Sequence, residues 1–146
     1  MPISCKELAR RFFQEVWNER RVEAIAEYAH PDGVAHHTNG QPTDTAHFRE
    51  VVHKQFLDAF PDLVIDVKDV VAEGERVVVR WHASGTHLGD GLGVRASRQR
   101  VSFFGMTWFV FRQGKIAEGW DSWDHGGLLQ TLWRNAPPDS GTRTAT

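Results

Sequence analysis

The chain has 146 residues, 40% of them hydrophobic and 25% charged, with a formal net charge of −2, the proportions of one soluble domain able to bury its own core. The basic residues are scattered, which argues against a nucleic-acid or anionic-membrane partner, and Cys5 is the single cysteine, which excludes a disulfide framework and a thiolate metal site. With no signal-peptide apolar region and no run approaching the ~20 apolar residues that cross a bilayer, a cytoplasmic protein is expected.

Ser4 followed by Glu7 is a capping box, after which Leu8, Phe12 and Val16 share a stripe beside Ala9, Phe13 and Trp17, predicting an amphipathic first helix. Beyond the polar break at residues 18–21, Val22, Ile25, Ala26 and Ala29 keep the helical period until His30-Pro31 ends it. A third helix, capped within Thr43 to Thr45, carries Phe48, Val51, Val52, Gln55, Phe56 and Ala59 and stops at Phe60-Pro61. From Leu63 the period changes to two. Residues 63–72, 77–84, 101–111 and 115–123 predict an antiparallel meander, with the glycine-rich residues 85–97 as a long loop. A short last helix covers Leu128 to Trp133, capped by Asp124 or led by Gly126-Gly127. Helices first and strands after give an α+β fold, N-terminal helices packed on one face of a curved antiparallel sheet, in a single domain over residues 1–134. The tail, residues 135–146, has a disordered composition.

EGWDSWDHGG, residues 118–127, sets Asp121 and Asp124 among tryptophans directly after the longest apolar run. Which residues Asp121 faces depends on the preceding turn. A three-residue loop, Arg112-Gln113-Gly114, needs positive φ at Gly114 alone, whereas a two-residue loop needs it at Gln113 as well. The longer loop pairs Phe111 with Lys115, and therefore Gly105 with Asp121, Thr107 with Gly119 and Phe103 with Trp123. Asp121 then faces a gap left by Gly105, flanked by Phe103, Phe109 and Trp123. A carboxylate among aromatics is poorly solvated when charged, the condition for exchanging protons near neutral pH. The alternative is a structural ion pair with Arg98 or Arg100. Asp124, just ahead of the last helix, fits a cap better than a catalyst.

His36 and His37 are strand neighbours that point to opposite faces, so they do not chelate a metal together, and no metal site is expected. Either could line a pocket mouth. Arg80 and His82 share a face of their strand; if that face is the pocket, they bind a carbonyl or phenolate oxygen. His87 reads as a loop anchor. The glycines of GDGLG, residues 89–93, precede a strand instead of a helix and make no nucleotide site. The other face of the last hairpin, Met106, Trp108, Ile116 and Trp120 beside Glu118 and Ser122, is too aromatic for open solvent and predicts a homodimer interface.

AFPDL at residues 59–63, EGERVVVRW at 73–81, SGTHLG at 84–89 and GKIAEGWDSWDHGGLL at 114–129 together resemble the SnoaL-like polyketide cyclases, a branch of the nuclear transport factor 2-like fold. The resemblance runs from Leu8 to Trp133. It implies a cone-shaped α+β barrel around a deep pocket, usually dimeric, with no metal or organic cofactor. It also implies an aromatic polyketide substrate, and intramolecular aldol closure with Asp121 as general acid/base. Phe103, Gly105, Thr107, Trp123, Arg80, His82 and His36 are the expected substrate contacts. The anthracycline-type cyclases carry Gln and His where this chain has Gly105 and Thr107, and a pocket Asn with no counterpart in residues 34–36. The family's hydroxylases, which act without bound metal or flavin, are the second expectation, because both chemistries begin with a deprotonated substrate. Related folds also serve as non-catalytic binding modules.

Overall fold

Ser4 is extended, and its Oγ accepts the Glu7 backbone N–H at 3.1 Å, filling one of the donors a helix start leaves unpaired. In the computed structural model, which describes residues 3–37 and 40–138, helix α1 (Cys5–Phe12) continues as a π-helical segment, Phe13–Asn18. Phe12, Phe13, Val16 and Trp17 are buried along this helix, the stripe its period predicts. Asn18 ends it by acting as a piece of strand. Its Nδ2 donates to the Ile65 carbonyl at 2.9 Å and its Oδ1 accepts the Ile65 N–H at 2.7 Å, which ties the helix to an edge of the sheet.

Helix α2 (Ala24–Tyr28) stops one residue earlier than the period suggests, because Ala29 is already extended and opens strand β1 (Ala29–His36). A short strand β2 (Pro42–Asp44) leads into helix α3 (Thr45–His47), where Asp44 accepts the His47 N–H at 2.8 Å. A second π-helical segment, Phe48–Val52, joins α3 to α4 (His53–Ala59), which ends before Phe60-Pro61 as expected.

Strands β3 (Val64–Glu73), β4 (Arg76–Thr86), β5 (Arg100–Arg112) and β6 (Lys115–Trp123) form the expected antiparallel meander. The full sheet has six strands in the order β2-β1-β6-β5-β4-β3, and β1 lies parallel to β6. The sheet is therefore mixed, a correction to the wholly antiparallel expectation. A strand that contains His30-Pro31-Asp32-Gly33 carries a turn's composition, and only a partner from the far end of the chain makes it a strand.

The helices cover one face. Phe12 and Phe13 meet Phe109 with ring centroids 5.4 and 6.1 Å apart, and Val77, Val79, Trp81 and Ala83 of β4 are buried beneath them. Between β4 and β5 the chain loops back onto α4, where the Leu88 N–H meets the Ala59 carbonyl at 2.9 Å. His87 is fully buried, and its Nδ1 accepts the Ser97 N–H at 3.0 Å, the anchoring role the sequence suggests. Helix α5 (His125–Asn135) closes the fold; Asp124 Oδ1 accepts the Gly127 N–H at 2.8 Å and caps it. The helix reaches Asn135, three residues before the described chain ends, and most of the expected tail lies outside the described residues.

Candidate active site

The β5–β6 turn sets the site's register. Gln113 and Gly114 both have positive φ, 54° and 79°, and Arg112 pairs with Lys115, so the loop has two residues and not three. That turn matches the right-handed twist of the strands, which outweighs the cost of a left-handed glutamine. One bulge follows: Phe111 pairs with Ile116 but Val110 with Glu118, leaving Ala117 extra. The shorter turn and the bulge each move the pairing by one residue. Their sum is even, so every inward residue from Gly119 onward keeps its face while its partner changes.

Asp121 accordingly stands opposite Thr107, and Trp123 opposite Gly105. This corrects the expected gap beside Asp121. A Cβ on Gly105 would lie 2.5 Å from the Trp123 Cβ, 2.6 Å from the Ser122 carbonyl oxygen and 3.0 Å from the Trp81 ring, so the glycine accommodates two indoles and leaves no space for a ligand. The bulge also turns Ile116 inward, to 7% exposure, removing it from the outer face where strict alternation places it.

Between the helices and the concave face lies a cavity of about 680 Å³. Phe48, Phe56, Trp81, Phe103, Phe109 and Trp123 supply aromatic wall, and Phe103 stacks on Trp123 at 5.0 Å. The two π-helical segments contribute Phe13, Trp17, Phe48 and Val52 to the lining, a use of the widened helix common at functional sites. Among the described residues no Lys or Arg lines the cavity; its ionisable groups are Asp44, Asp121 and the histidines at 37, 47 and 125.

Asp121 is held by polar neighbours. Oδ1 accepts the Thr107 hydroxyl at 2.7 Å, and Oδ2 lies 3.6 Å from His37 Nδ1. The Asp121 side chain is 29% exposed and that of His37 20%, so the pair is half-buried. His37 Nε2 is 2.9 Å from Thr43 Oγ1 on the far side. The alternative ion pair is not formed, since Arg100 reaches Asp62 at 3.4 Å. His125 stacks on Trp123 at 4.9 Å, and burial, with His37 nearby, lowers its pKa, leaving a neutral imidazole at neutral pH. Among the described residues no three His, Cys, Asp or Glu side chains are grouped as a metal's donors.

Of the expected contacts, Phe103, Thr107 and Trp123 line the cavity with Asp121. His36, Arg80 and His82 do not. On β4 the more apolar alternation, Val77, Val79, Trp81 and Ala83, takes the inner face, which puts Arg80 and His82 outside. His36 lies outside too, its Nε2 2.7 Å from Glu118 Oε2 and its ring stacked on Trp120 at 5.1 Å. His37 takes the inner position, as strand alternation between neighbours requires. His125 escaped the sequence reading because the start of a helix has no period to orient it.

The SnoaL-like polyketide cyclase model matches residues 7–132, most of the chain. The chain belongs to the SnoaL-like polyketide cyclase family. It is 32% identical over 90 residues to otaY, a proposed cyclase of Aspergillus niger, covering 62% of this chain and 74% of that one. Its fold is similar to that of AclR, a proposed hydroxylase of Streptomyces galilaeus, with TM-score 0.78 and 29% identity over 97% of this chain and 88% of that one. It is likewise similar to a proposed SnoaL-like polyketide cyclase of Jannaschia sp. CCS1, with TM-score 0.81 and 25% identity over 92% and 93% of the two chains. On β6 the chain itself carries an inward aspartate, with Thr107 directly across from it.

Proposed function

We propose that this chain is a cofactor-independent enzyme that deprotonates a flat, oxygen-rich aromatic polyketide and closes a ring on it by aldol addition. The carrying observation is Asp121: one carboxylate oxygen is bound by Thr107, and the other is left beside His37 in an aromatic cavity. Oδ2 takes the proton from carbon next to a carbonyl, and the C–H electron pair passes into the enolate. The enolate carbon bonds to an internal carbonyl carbon, and that oxygen takes the proton back from Asp121. Neutral His125 can donate a hydrogen bond to the enolate oxygen without adding charge. Aromatic walls with no Lys or Arg among the described residues suit a planar substrate lacking a free carboxylate or phosphate.

A second reading is hydroxylation by dioxygen, favoured by the likeness to AclR along nearly the whole chain. The same anion then adds O₂ to give a hydroperoxide after protonation, and two electrons and two protons from an external donor reduce it to alcohol and water. The experiment is incubation with an aromatic polyketide intermediate under air and under nitrogen, comparing wild type with Asp121→Asn by product mass. An isomeric ring or loss of water in both atmospheres is expected, with at least ~100-fold slower turnover in the variant. Gain of oxygen in air alone selects hydroxylation, and unchanged turnover of Asp121→Asn removes the aspartate from the mechanism. Binding with no product under either atmosphere would make the chain a ligand-binding module. The working unit is proposed to be a homodimer joined through the outer face of β5 and β6.

A further inference from the structure

We propose that Trp81 and Thr107 form a one-way hydrogen-bond relay whose purpose is to position Asp121, so that Thr107 acts on the carboxylate and not on the substrate. This rests on Asp121 being the base. Trp81 is on β4, Thr107 on β5 and Asp121 on β6, three neighbouring strands with all three side chains inward. Trp81 Nε1 lies 3.0 Å from Thr107 Oγ1, and Thr107 Oγ1 2.7 Å from Asp121 Oδ1.

The direction follows from valence. An indole N–H only donates, so Thr107 Oγ accepts from Trp81; its single hydroxyl proton is then committed to Asp121. Trp81 and Thr107 are 6% and 5% exposed, so water does not compete for either bond. Without a side chain at position 105, the indole can run diagonally across β5 to reach Thr107, since a Cβ there would sit 3.0 Å from the ring. With Oδ1 occupied and the carboxylate rotation fixed, an incoming proton goes to Oδ2, on the side of His37. Gly105 and Thr107, expected as substrate contacts, become parts of the base's support.

The test uses α-proton exchange of methyl benzoylacetate in D₂O, followed by ¹H NMR, beside the ¹H–¹⁵N resonance of the Trp81 indole. Thr107→Val keeps the side chain's shape and removes the hydroxyl; Thr107→Ser restores it. The relay requires kcat to fall about 10- to 100-fold in Thr107→Val with KM within about twofold, and Thr107→Ser to recover to within about threefold. The indole resonance should move upfield in the valine variant and return in the serine variant. A rise in KM at constant kcat would make Thr107 a substrate ligand and overturn the relay, as would wild-type kcat in Thr107→Val or an equally slow Thr107→Ser. Asp121→Asn separates the two ideas. An inactive Asp121→Asn beside an active Thr107→Val sinks the relay alone, whereas full exchange by Asp121→Asn, or none by the wild type, overturns the base assignment and the relay with it.

Discussion

His53, His87 and His125 each have a pKa lowered from the ordinary 6.5, in every case chiefly by burial. His53 Nε2 donates to the Val16 carbonyl at 2.6 Å inside the helical layer, and His87 holds the β4–β5 loop. Above pH 6.5 the three are neutral in both the folded and the unfolded chain, and their contribution is fully present. Below it the unfolded chain binds protons that the folded one resists, so stability falls with falling pH until the lowered folded values are passed. Urea unfolding at pH 7.5 and 5.5 should show a lower midpoint at the acid value with an unchanged slope. His53→Leu should reduce the difference between the two midpoints, whatever its own stability. At this scale the sequence was partly legible. Asp124 as a cap and His87 as an anchor follow from position alone, whereas the inward aim of His37 and His125 depends on partners up to 84 residues away, as between His37 and Asp121.

The β5–β6 hairpin shows where reading by element stops. Choosing the loop that spares Gln113 a positive φ is sound locally, and it is wrong because strand twist favours the tighter turn. Asp121 nevertheless stays inward, since the missing loop residue and the bulge at Ala117 offset each other in parity. Gln113 remains a strained site with a simple remedy. Asn tolerates the left-handed region better, so Gln113→Asn should raise stability by about 0.5–1 kcal/mol without changing turnover, measured by thermal unfolding. β4 carries the complementary lesson. In its VVVRWHAS stretch one alternation, Val77, Val79, Trp81 and Ala83, is wholly apolar and the other carries Arg80, His82 and Ser84, so the buried face was legible in the sequence and Arg80 and His82 belong outside.

At the scale of the molecule, the outer face of the sheet carries a cluster of exposed large apolar side chains. Phe104 is 74% exposed, Met106 52%, Trp108 46% and Trp120 40%, beside the His36–Glu118 pair. Ile116, expected there, is inside; Phe104 takes its place in the patch. In the proposed homodimer this is the surface the second copy covers, with Arg80 and His82 available to meet Glu118 across a two-fold axis. Gel filtration at micromolar concentration should give a dimer, and Trp108→Glu should shift it toward monomer by at least about tenfold in dissociation constant. A wild type that elutes only as monomer would remove the interface.

Period, caps and turn residues are local properties, and by themselves they determined the helices, the four-strand meander and the α+β class. The parallel pairing of β1 with β6, the bulge at Ala117 that keeps Asp121 inward, and the chain from Trp81 through Thr107 to Asp121 were decided only in the folded molecule. Each depends on which distant surface a strand meets, and side-chain alternation leaves that open.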